Sequence, residues 1–463
     1  MQFGVDAPPD PNCPGCQSLA KKNAQLEAQV ATLSDRVDTL LKRVDELERR
    51  GKRQAGPFSK GAPKEKPKRP GRKKGQRGRD ARKKPEKVDE EISVPLPEKC
   101  PDSDCQGRIE FQRVAEQFQT DLPKVEPIVR RFSIEIGKCS CCGKRVQPRH
   151  PQQTSDALGA AADQIGPNLL ALATLLKADY GLSWGKVARL CGTAFGVTVT
   201  PSALCRGSMR VAEKLQPTIE AVRESVRTSP TVCPDETGWR TGGHSRWLWV
   251  FVSPDATVYS IAPGRGAEVA AKVIGFDYSG ILVRDGWLAY RRFKEATHQT
   301  CVGHLLRRCS EILELAKAGA RRFPKNVKQL LQDALALRDA RGNYTKRGFA
   351  SLVGKLRARL DRLLRGNPRY PPNAKFVKHL RNERHALFTF LDVEGLSATN
   401  WAAEQAIRPS VLARKLSGGN RTDRGADAHA GLLSVVQTAK QRAVDEVALL
   451  TRALCQPEPQ PLL

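Results

Sequence analysis

The sequence predicts a multidomain α+β protein, and three observations support this prediction. The chain has 463 residues, whereas one domain usually holds about 100–200. Apolar residues recur at helical spacing near the N-terminus and again in several later stretches, which predicts helices. Between residues 231 and 285 the pattern changes to short apolar runs, which predicts strands. We therefore expect several units of different secondary structure.

Charge and cysteine usage limit the classes of protein to consider. The formal net charge is +29, and such an excess is typical of proteins with a polyanionic partner, nucleic acid first among them. No run of about 20 apolar residues and no basic-then-apolar leader is visible, so we expect a cytoplasmic protein without a membrane partner. Some of the 13 cysteines stand in close pairs, which in a reducing compartment indicates metal ligands or free thiols.

A leucine zipper is predicted for residues 17–50. Leucine recurs every seven residues, with Asn23 and three valines in the intervening apolar positions. Valine at a and leucine at d favours a two-stranded parallel coiled coil, and one asparagine fixes its register. The alternative is a single amphipathic helix that packs on the protein's own core. The recurring leucines are Leu19, Leu26, Leu33, Leu40 and Leu47.

Residues 51–90 are predicted to be a disordered basic linker that binds DNA. From Gly51 to Lys87 there are 16 basic and 3 acidic residues, which leaves +13 in a segment with little apolar surface. Glycine-spaced arginines resemble a minor-groove arm. For sequence preference a solvated basic tether is the favoured interpretation, whereas for phosphate contact without sequence preference we expect the segment to bind DNA. The candidate DNA-binding residues are Arg69, Arg72, Lys73, Lys74, Arg77 and Arg79.

Residues 91–152 contain two close cysteine pairs. Cys100 and Cys105 are followed by Cys139 and Cys142, with Cys141 as a spare thiol. Structural zinc takes four such thiolates from two turns, so we expect one structural Zn²⁺ here, with unligated reduced thiols as the alternative.

Residues 153–228 are predicted to form a helical domain that resembles a helix-turn-helix. The stretch from Leu182 to Leu215 reads as helix, turn and helix, with Pro201 at the start of the second helix. Arg206 and Arg210 on that helix are candidate DNA-binding residues if they are exposed. Helical hairpins without a DNA-binding role are equally compatible with the pattern.

Residues 229–310 and 392–455 are predicted to form an α/β catalytic domain. Three short strands, a helical crossover over residues 266–274 and a further strand open a mixed sheet. Asp235 and Asp285 each follow an apolar run, and we expect both at strand ends that face one cleft. Carboxylates in that arrangement suit hard divalent cations.

A helical insertion is predicted for residues 311–391, before the catalytic domain resumes. In the resumed segment, Ser397 or Thr399 is positioned to cap a helix that we expect to end before Pro409. Glu404 and Arg408 lie four residues apart on that helix, and spacing alone indicates a surface ion pair of little energetic value.

Four motifs that follow one another along the chain indicate a different role for Glu404. The stretches DETGWR, RDGWLAY, HQTCVGHLLRR and NWAAEQAIRP, the last followed by RKLSGGNRTDRGA, resemble successive blocks of the insertion-sequence-66 family of bacterial transposases. The zipper, basic linker, cysteine pairs and helical block also match that family's layout, so the resemblance covers nearly the whole chain. Gln405 departs from the pattern, because the family commonly has arginine there.

The resemblance implies an RNase H-like domain with an Asp-Asp-Glu catalytic set, which here is Asp235, Asp285 and Glu404. These residues would bind two Mg²⁺ or Mn²⁺ ions for strand cleavage and strand transfer, with Asp235 as the ligand shared by both. Glu236 should point to the opposite face of its strand and is a weaker candidate.

Further basic and metal-ligating residues lie near the catalytic set. His298, Cys301 and His304 are spaced three apart, which is compatible with a second zinc site but more often places residues on one helix face. We expect His304, Arg307 and Arg308 to approach DNA phosphates. A similar basic set follows Glu404, namely Arg408, Arg414, Lys415 and Arg421.

The expected partners are double-stranded DNA, meaning element ends and target, and a second copy of the chain joined through the zipper. Helper proteins from the same element are a further possibility. The main competing interpretation is a catalytically inactive, dimeric, sequence-specific DNA-binding protein, which differs from a transposase in lacking metal-dependent strand cleavage. A third interpretation, a structural nucleoid-associated protein, predicts neither cleavage nor a preference for element ends.

Overall fold

The computed structural model describes residues 14–52, 83–102, 104–105, 107–161 and 163–463. The chain divides into two compact units, Met1–Gln119 and Thr120–Leu463. Within the described residues, no helix combines the length and the apolar character that crossing a bilayer requires.

The first unit contains one long helix, α1, over Pro14–Lys52. It is continuous through the predicted zipper, and its described apolar side chains lie open to solvent: Leu26, Val30, Leu33 and Val37 are 53–65% exposed. A stripe of this kind is what a partner helix would cover, and the pairing itself stays a prediction. The basic arm from Arg69 to Arg79 lies outside the described residues.

The second unit begins with a two-stranded hairpin, β1 (Gly137–Lys138) and β2 (Arg145–Val146), and continues with four helices. Thr200 caps α4 through its hydroxyl, and Pro201 opens that helix as predicted. Gly196, at φ 66°, ends α3 in the left-handed conformation that glycine tolerates best. The helices are α2 (Pro167–Ala178), α3 (Trp184–Phe195), α4 (Pro201–Lys214) and α5 (Gln216–Arg227).

A five-stranded mixed sheet forms the centre of this unit, in the order β5-β4-β3-β6-β7. β3 pairs antiparallel with β4 over nine residues but parallel with β6 only at Thr231 and Val232. The strands are β3 (Thr231–Thr241), β4 (His244–Val252), β5 (Thr257–Ala262), β6 (Ile281–Arg284) and β7 (Thr297–Thr300), with α6 (Ala267–Ile274) as the crossover between β5 and β6. The predicted mixed sheet and crossover are confirmed, while the short, polar β7 was not predicted.

The remaining helices cover the sheet. Buried leucines of α8, such as Leu330 and Leu331, belong to the same apolar cluster as Leu248 of β4, so the stretch predicted as an insertion shares a core with the sheet. α13 packs on the sheet's other edge through β5. These helices are α7 (Val302–Leu315), α8 (Arg322–Asp339), α9 (Lys346–Arg365), α10 (Pro371–Glu383), α11 (Thr389–Asp392), α12 (Trp401–Ser417), α13 (Asp423–Gln441) and α14 (Glu446–Cys455).

Three local predictions are wrong. Neither Ser397 nor Thr399 caps α12, because the helix begins after Asn400, whose side chain makes no capping hydrogen bond. β3 does not end near Asp235 but runs on to Thr241, because β4 pairs with it from Cys233 to Thr241. α12 does not end before Pro409 but continues to Ser417, with Pro409 inside it. Buried Ile407 and Ala413 on either side of the proline pack the helix against the protein, and this tertiary contact outweighs the local cost of proline.

Candidate active site

The predicted acidic trio of Asp235, Asp285 and Glu404 is hereafter the acidic site. Asp235 lies within β3, just beyond the two residues that pair with β6, where the two strands diverge. Its Oδ1 accepts a hydrogen bond of 2.9 Å from the backbone N–H of Glu236. The carboxylate is therefore oriented by its own strand at the opening between β3 and β6.

Asp285 directly follows the last residue of β6, as predicted. The backbone N–H of Trp287 donates to its Oδ1 at 2.8 Å, which holds the side chain in a tight turn after the strand. Because β3 and β6 start in parallel register, this turn leaves the sheet on the same side as Asp235.

Glu404 lies in the first turn of α12, and Asn400 joins that turn to β3. The Nδ2 atom of Asn400 donates to the carbonyl of Pro234 at 2.8 Å, one residue before Asp235. The backbone N–H of Glu404 in turn donates to the carbonyl of Asn400 at 3.1 Å. The N-terminus of α12 is thus fixed to the sheet beside Asp235.

The electrostatics of Asp235 differ from those of an ordinary carboxylate. Burial, together with the negative charges of Glu236 and Asp285, raises its pKa to about 7. Among the charged groups that shift the pKa of Asp235, His304 is the one that lowers it. No lysine or arginine of the described chain forms an ion pair with Asp235. The acidic site therefore concentrates negative charge that the described part of the protein leaves largely uncompensated.

Glu236 lies on the opposite face of β3, as its position in an extended strand predicts. It pairs with Trp249 across the sheet, whereas Asp235 pairs with Val250, and the two partners belong to different apolar clusters. Tyr290 donates to the Glu236 carboxylate at 2.6 Å and Arg265 at 2.7 Å. Burial raises the pKa of Glu236, although both donors oppose this.

A buried ion cluster supports Asp285 from behind and was missed in the sequence. The Glu383 cluster comprises Glu383, Arg284, Arg291 and Thr300. Arg284, which is fully buried, donates to Glu383 at 2.7 Å and to the carbonyl of Asp285 at 2.9 Å. Burial raises the pKa of Glu383, but the two arginines and Thr300 outweigh it and hold that pKa at about 2. No sequence signal links residues 99 positions apart.

A second group of ligand atoms adjoins the acidic site. One atom each from Cys301, His304 and Glu404 lie within 4.8 Å of one another, and His304 Nε2 is 3.6 Å from Glu404 Oε1. His298 is not part of this group, because it lies on β7 and binds Arg284 and the carbonyl of Phe293. The three-residue spacing thus spans a strand and a helix, and the prediction of one shared helix face is wrong for His298.

The predicted DNA-binding residues of the described chain differ in exposure. Arg206 and Arg210 are both exposed on α4, which meets the condition set for a recognition helix. Arg307, Arg408 and Arg421 are also exposed, and Lys415 is half-buried. Arg414 instead donates to the carbonyl of Gly238 and is half-buried against β3.

Both predicted cysteine pairs lie on tight turns. Cys100 donates its backbone N–H to Gly107, and Cys139 donates to Lys144, so each pair begins a narrow hairpin. Gly143, at φ 70°, closes the second turn directly after Cys142. The first pair belongs to the first unit and the second pair to the second.

Fold and site together define a mixed-sheet α+β protein with a half-buried acidic centre at diverging strands. Residues 163–428, more than half of the chain, match the Transposase IS66 family, and the chain therefore belongs to that family.

Two curated relatives come from Sinorhizobium fredii (strain NBRC 101917 / NGR234). The uncharacterized protein y4qI is 25% identical over 289 residues, which are 56% of this chain and 53% of the relative. The uncharacterized protein y4jD is 24% identical over 291 residues, or 56% of each chain. The match spans about half the length of these relatives.

Proposed function

We propose that this protein is a DNA transposase that cleaves and joins DNA strands with divalent metal ions bound at the acidic site. Membership of the IS66 family supports the transposase role. We further propose that the sheet is RNase H-like. Three antiparallel strands followed by two parallel ones, with β3 at the centre, support this assignment.

The placement of Asp235 and Asp285 at matching positions beyond the parallel pairing of β3 and β6 carries the proposal, and the raised pKa of Asp235 supports it. A carboxylate with a pKa of about 7 beside a second aspartate is costly to ionise, and no arginine or lysine of the described chain pairs with it to lower that cost. Such sites are typical of function rather than stability. Oxygen donors of this kind fit Mg²⁺ or Mn²⁺. When bound, these ions would supply Lewis-acid stabilisation of the phosphodiester and activate a water or 3′-hydroxyl.

The chain's own residues orient the ligands. The N–H groups of Glu236 and Trp287 direct Asp235 and Asp285, and Asn400 holds the turn that carries Glu404 against β3. Asp235 lies on β3, which pairs with β6 and packs against α12, and it is our choice for the shared ligand. In the structure the Glu404 carboxylate contacts His304. We infer that the Glu404 side chain turns toward the two aspartates when metal ions bind.

DNA contact is proposed for the exposed basic residues of α4 and α12, and for the basic linker. Trp401, one turn before Glu404, is 63% exposed and offers an aromatic surface beside the acidic site on which a base can stack. Replacing Arg206 or Arg210 by alanine should weaken binding and lower the salt dependence by about one counterion for each phosphate that the variant no longer neutralises. Titration at several salt concentrations measures this, with Arg223→Ala on α5 as the control.

The decisive experiment combines cleavage and binding on the same protein. Purified chain is incubated with labelled element ends and Mg²⁺ or Mn²⁺, and Asp235→Asn, Asp285→Asn and Glu404→Gln are compared with it. Each amide keeps the side-chain shape and removes a charge, so strand cleavage and joining should fall about 100-fold or more, since each ~1.4 kcal/mol of transition-state stabilisation is worth tenfold in rate. DNA binding should survive, because removing an acid reduces repulsion of phosphate.

Glu295→Gln is the matched control, because Glu295 is exposed and precedes β7 outside the acidic site. Glu236→Gln is less suitable than its sequence position suggests, since it disturbs the contacts with Tyr290 and Arg265. Equal cleavage by wild type and all three amide variants would refute the catalytic assignment. Binding without cleavage by the wild type would favour an inactive DNA-binding protein.

Self-association through α1 is a separate proposal. Lysine in place of Leu33 puts a charge into the exposed apolar stripe and should shift the full chain from dimer toward monomer in sedimentation experiments. Ala28→Lys adds the same charge away from the stripe and should leave the dimer intact. A wild-type chain that sediments as a monomer contradicts the zipper.

Structural zinc at Cys100, Cys105, Cys139 and Cys142 is likewise proposed. The narrow hairpin turns that carry both cysteine pairs support it, because zinc takes two ligands from each of two such turns. Removing the metal should loosen residues 91–152 and leave the sheet folded.

A further inference from the structure

A cysteine and a histidine beside Glu404 have no role in the proposed catalysis. Cys301 is 1% exposed at the N-terminus of α7, and His304 follows in the first turn of that helix. The position of the helix end is fixed from two sides, because Cys301 N–H donates to the carbonyl of Arg284 at 2.8 Å and Val302 N–H to that of Ala398 at 2.9 Å. Both side chains are therefore held between the end of β6 and the start of α12.

The donor atoms of this group fit one small metal ion. The sulfur of Cys301, a ring nitrogen of His304 and a carboxylate oxygen of Glu404 lie within 4.8 Å of one another, and the His304–Glu404 pair is 3.6 Å apart. Ligand atoms around tetrahedral zinc are separated by about 3.3–3.8 Å, given bond lengths of roughly 2.0–2.3 Å. Small side-chain adjustments would close the remaining difference.

Two further observations indicate a cation rather than a closed polar cluster. His304 Nδ1 is buried and, within the described residues, has no hydrogen-bond partner. The backbone N–H of Asn400 points at Cys301 Sγ at 3.2 Å, which is how protein amides stabilise a thiolate.

We infer that Cys301, His304 and Glu404 form a zinc-binding site that competes with the catalytic use of Glu404. A thiolate and an imidazole select Zn²⁺ over Mg²⁺, whereas the carboxylate serves either ion. Three protein ligands leave a fourth position for water. The competition rests on the proposed function, since it requires Glu404 to be a catalytic ligand. Zinc would hold Glu404 toward α7 and so inhibit strand cleavage.

Metal content of the full chain tests the site without reference to activity. Wild type, Cys301→Ser and His304→Gln are each loaded with Zn²⁺, desalted and analysed for zinc per chain. Both variants should bind about one equivalent of zinc less than wild type, independently of any zinc bound by Cys100, Cys105, Cys139 and Cys142. Cys309→Ser is the matched control, because Cys309 is fully buried on the same helix but outside the group, and it should lose no zinc.

Cobalt provides a second readout. Co²⁺ titration should give a thiolate-to-metal charge-transfer band whose Cys301-dependent part disappears in Cys301→Ser, and circular dichroism checks that each variant is folded. Equal zinc content and equal cobalt spectra in wild type, Cys301→Ser and His304→Gln would overturn the site.

The inhibitory part has its own test. Zinc should slow Mg²⁺-dependent cleavage by wild type, and the fold-inhibition should be smaller in Cys301→Ser relative to that variant's own zinc-free rate. Zinc that occupies the site without slowing cleavage overturns the competition. A wild type that binds the extra zinc but cleaves no DNA with any metal would refute the proposed function and leave the zinc site standing.

Discussion

Two adjacent residues at the end of β6, Arg284 and Asp285, belong to two regions in which the pKa of a buried carboxylate is shifted in opposite directions. Arg284 enters the Glu383 cluster, where two arginines and a threonine surround one carboxylate and hold its pKa at about 2. Asp285 faces the acidic site, where the pKa of Asp235 rises to about 7 without a lysine or arginine partner in the described chain. Burial alone therefore does not decide a carboxylate's role. The role depends on whether positively charged side chains surround the carboxylate.

The difference has a physical logic. A carboxylate that joins two elements must stay ionised and satisfied, so the fold surrounds it with donors, as Glu383 joins α10 to β6 and β7. At the proposed metal site, Asp235 has no lysine or arginine partner within the described residues, and such a partner would compete with a bound cation. Its electrostatic cost is then borne by the fold until a cation binds.

The largest expected effect on stability comes from breaking the Glu383 cluster. Glu383→Gln leaves the fully buried Arg284 without its counter-charge, so the free energy of unfolding should fall by about 3–5 kcal/mol at neutral pH. Urea unfolding measures this. Asp361→Asn, which removes an exposed ion pair with Arg384, should change stability little. A neutral effect of Glu383→Gln would show that the cluster is not essential to the joint between α10 and the sheet.

The pH dependence of this effect follows from the sign of the shift. The folded-state pKa of Glu383 lies below its ordinary value of 4.5, so its stabilisation is fully present above that value and is lost as pH falls toward 2. The difference between wild type and Glu383→Gln should therefore shrink in acid.

Asp235→Asn should change stability in the opposite direction. The folded-state pKa of Asp235 is raised from 3.8 to about 7, so ionising it costs the folded protein increasingly as pH rises between these values. Without divalent cations, Asp235→Asn should be more stable than wild type at pH 8, by at most about 4 kcal/mol. The gain should vanish below pH 4. Unfolding curves at pH 4 and pH 8 would contradict this if the variant were less stable at both.

Divalent cations sharpen the same comparison. Mg²⁺ should stabilise wild type at pH 8 and stabilise Asp235→Asn much less, because binding to the folded state is what the amide removes. Glu383→Gln keeps the acidic site and should retain a Mg²⁺ response. If Mg²⁺ raises the stability of wild type and Asp235→Asn equally, Asp235 is not a metal ligand.

The smallest expected effect concerns the other face of β3. The guanidinium of Arg265 lies 3.9 Å from the ring centre of Trp287 and 4.8 Å from that of Trp247, and it also pairs with Glu236. Arg265→Lys keeps the charge but removes the planar stacking, so we expect stability to fall by about 1 kcal/mol. Arg424→Lys, on an exposed pair with Glu213 and without a ring contact among the described residues, is the control. Equal, negligible changes in the two variants would show that stacking on the tryptophans adds nothing.

Much of the site could be predicted before the structure. Asp235 and Asp285 follow apolar runs whose strands do pair in parallel, and Asp285 lies just beyond the strand end as expected. Spacing alone predicts only an ion pair between Glu404 and Arg408. The resemblance to a family is what identifies Glu404 as a candidate catalytic residue. In the structure, Arg408 instead donates to Gln405 at 3.3 Å.

Periodicity and local chemistry, which act over a few residues, determined the helices, the sheet's first strands, the N-terminus of α4 and the candidate acids. Only the tertiary structure decided which distant groups share a site. It placed Cys301 and His304 beside Glu404, removed His298 from that set, buried Arg284 against Glu383 and carried α12 past Pro409. Contacts between residues about 100 positions apart depend on how the chain packs, and no local pattern encodes that packing.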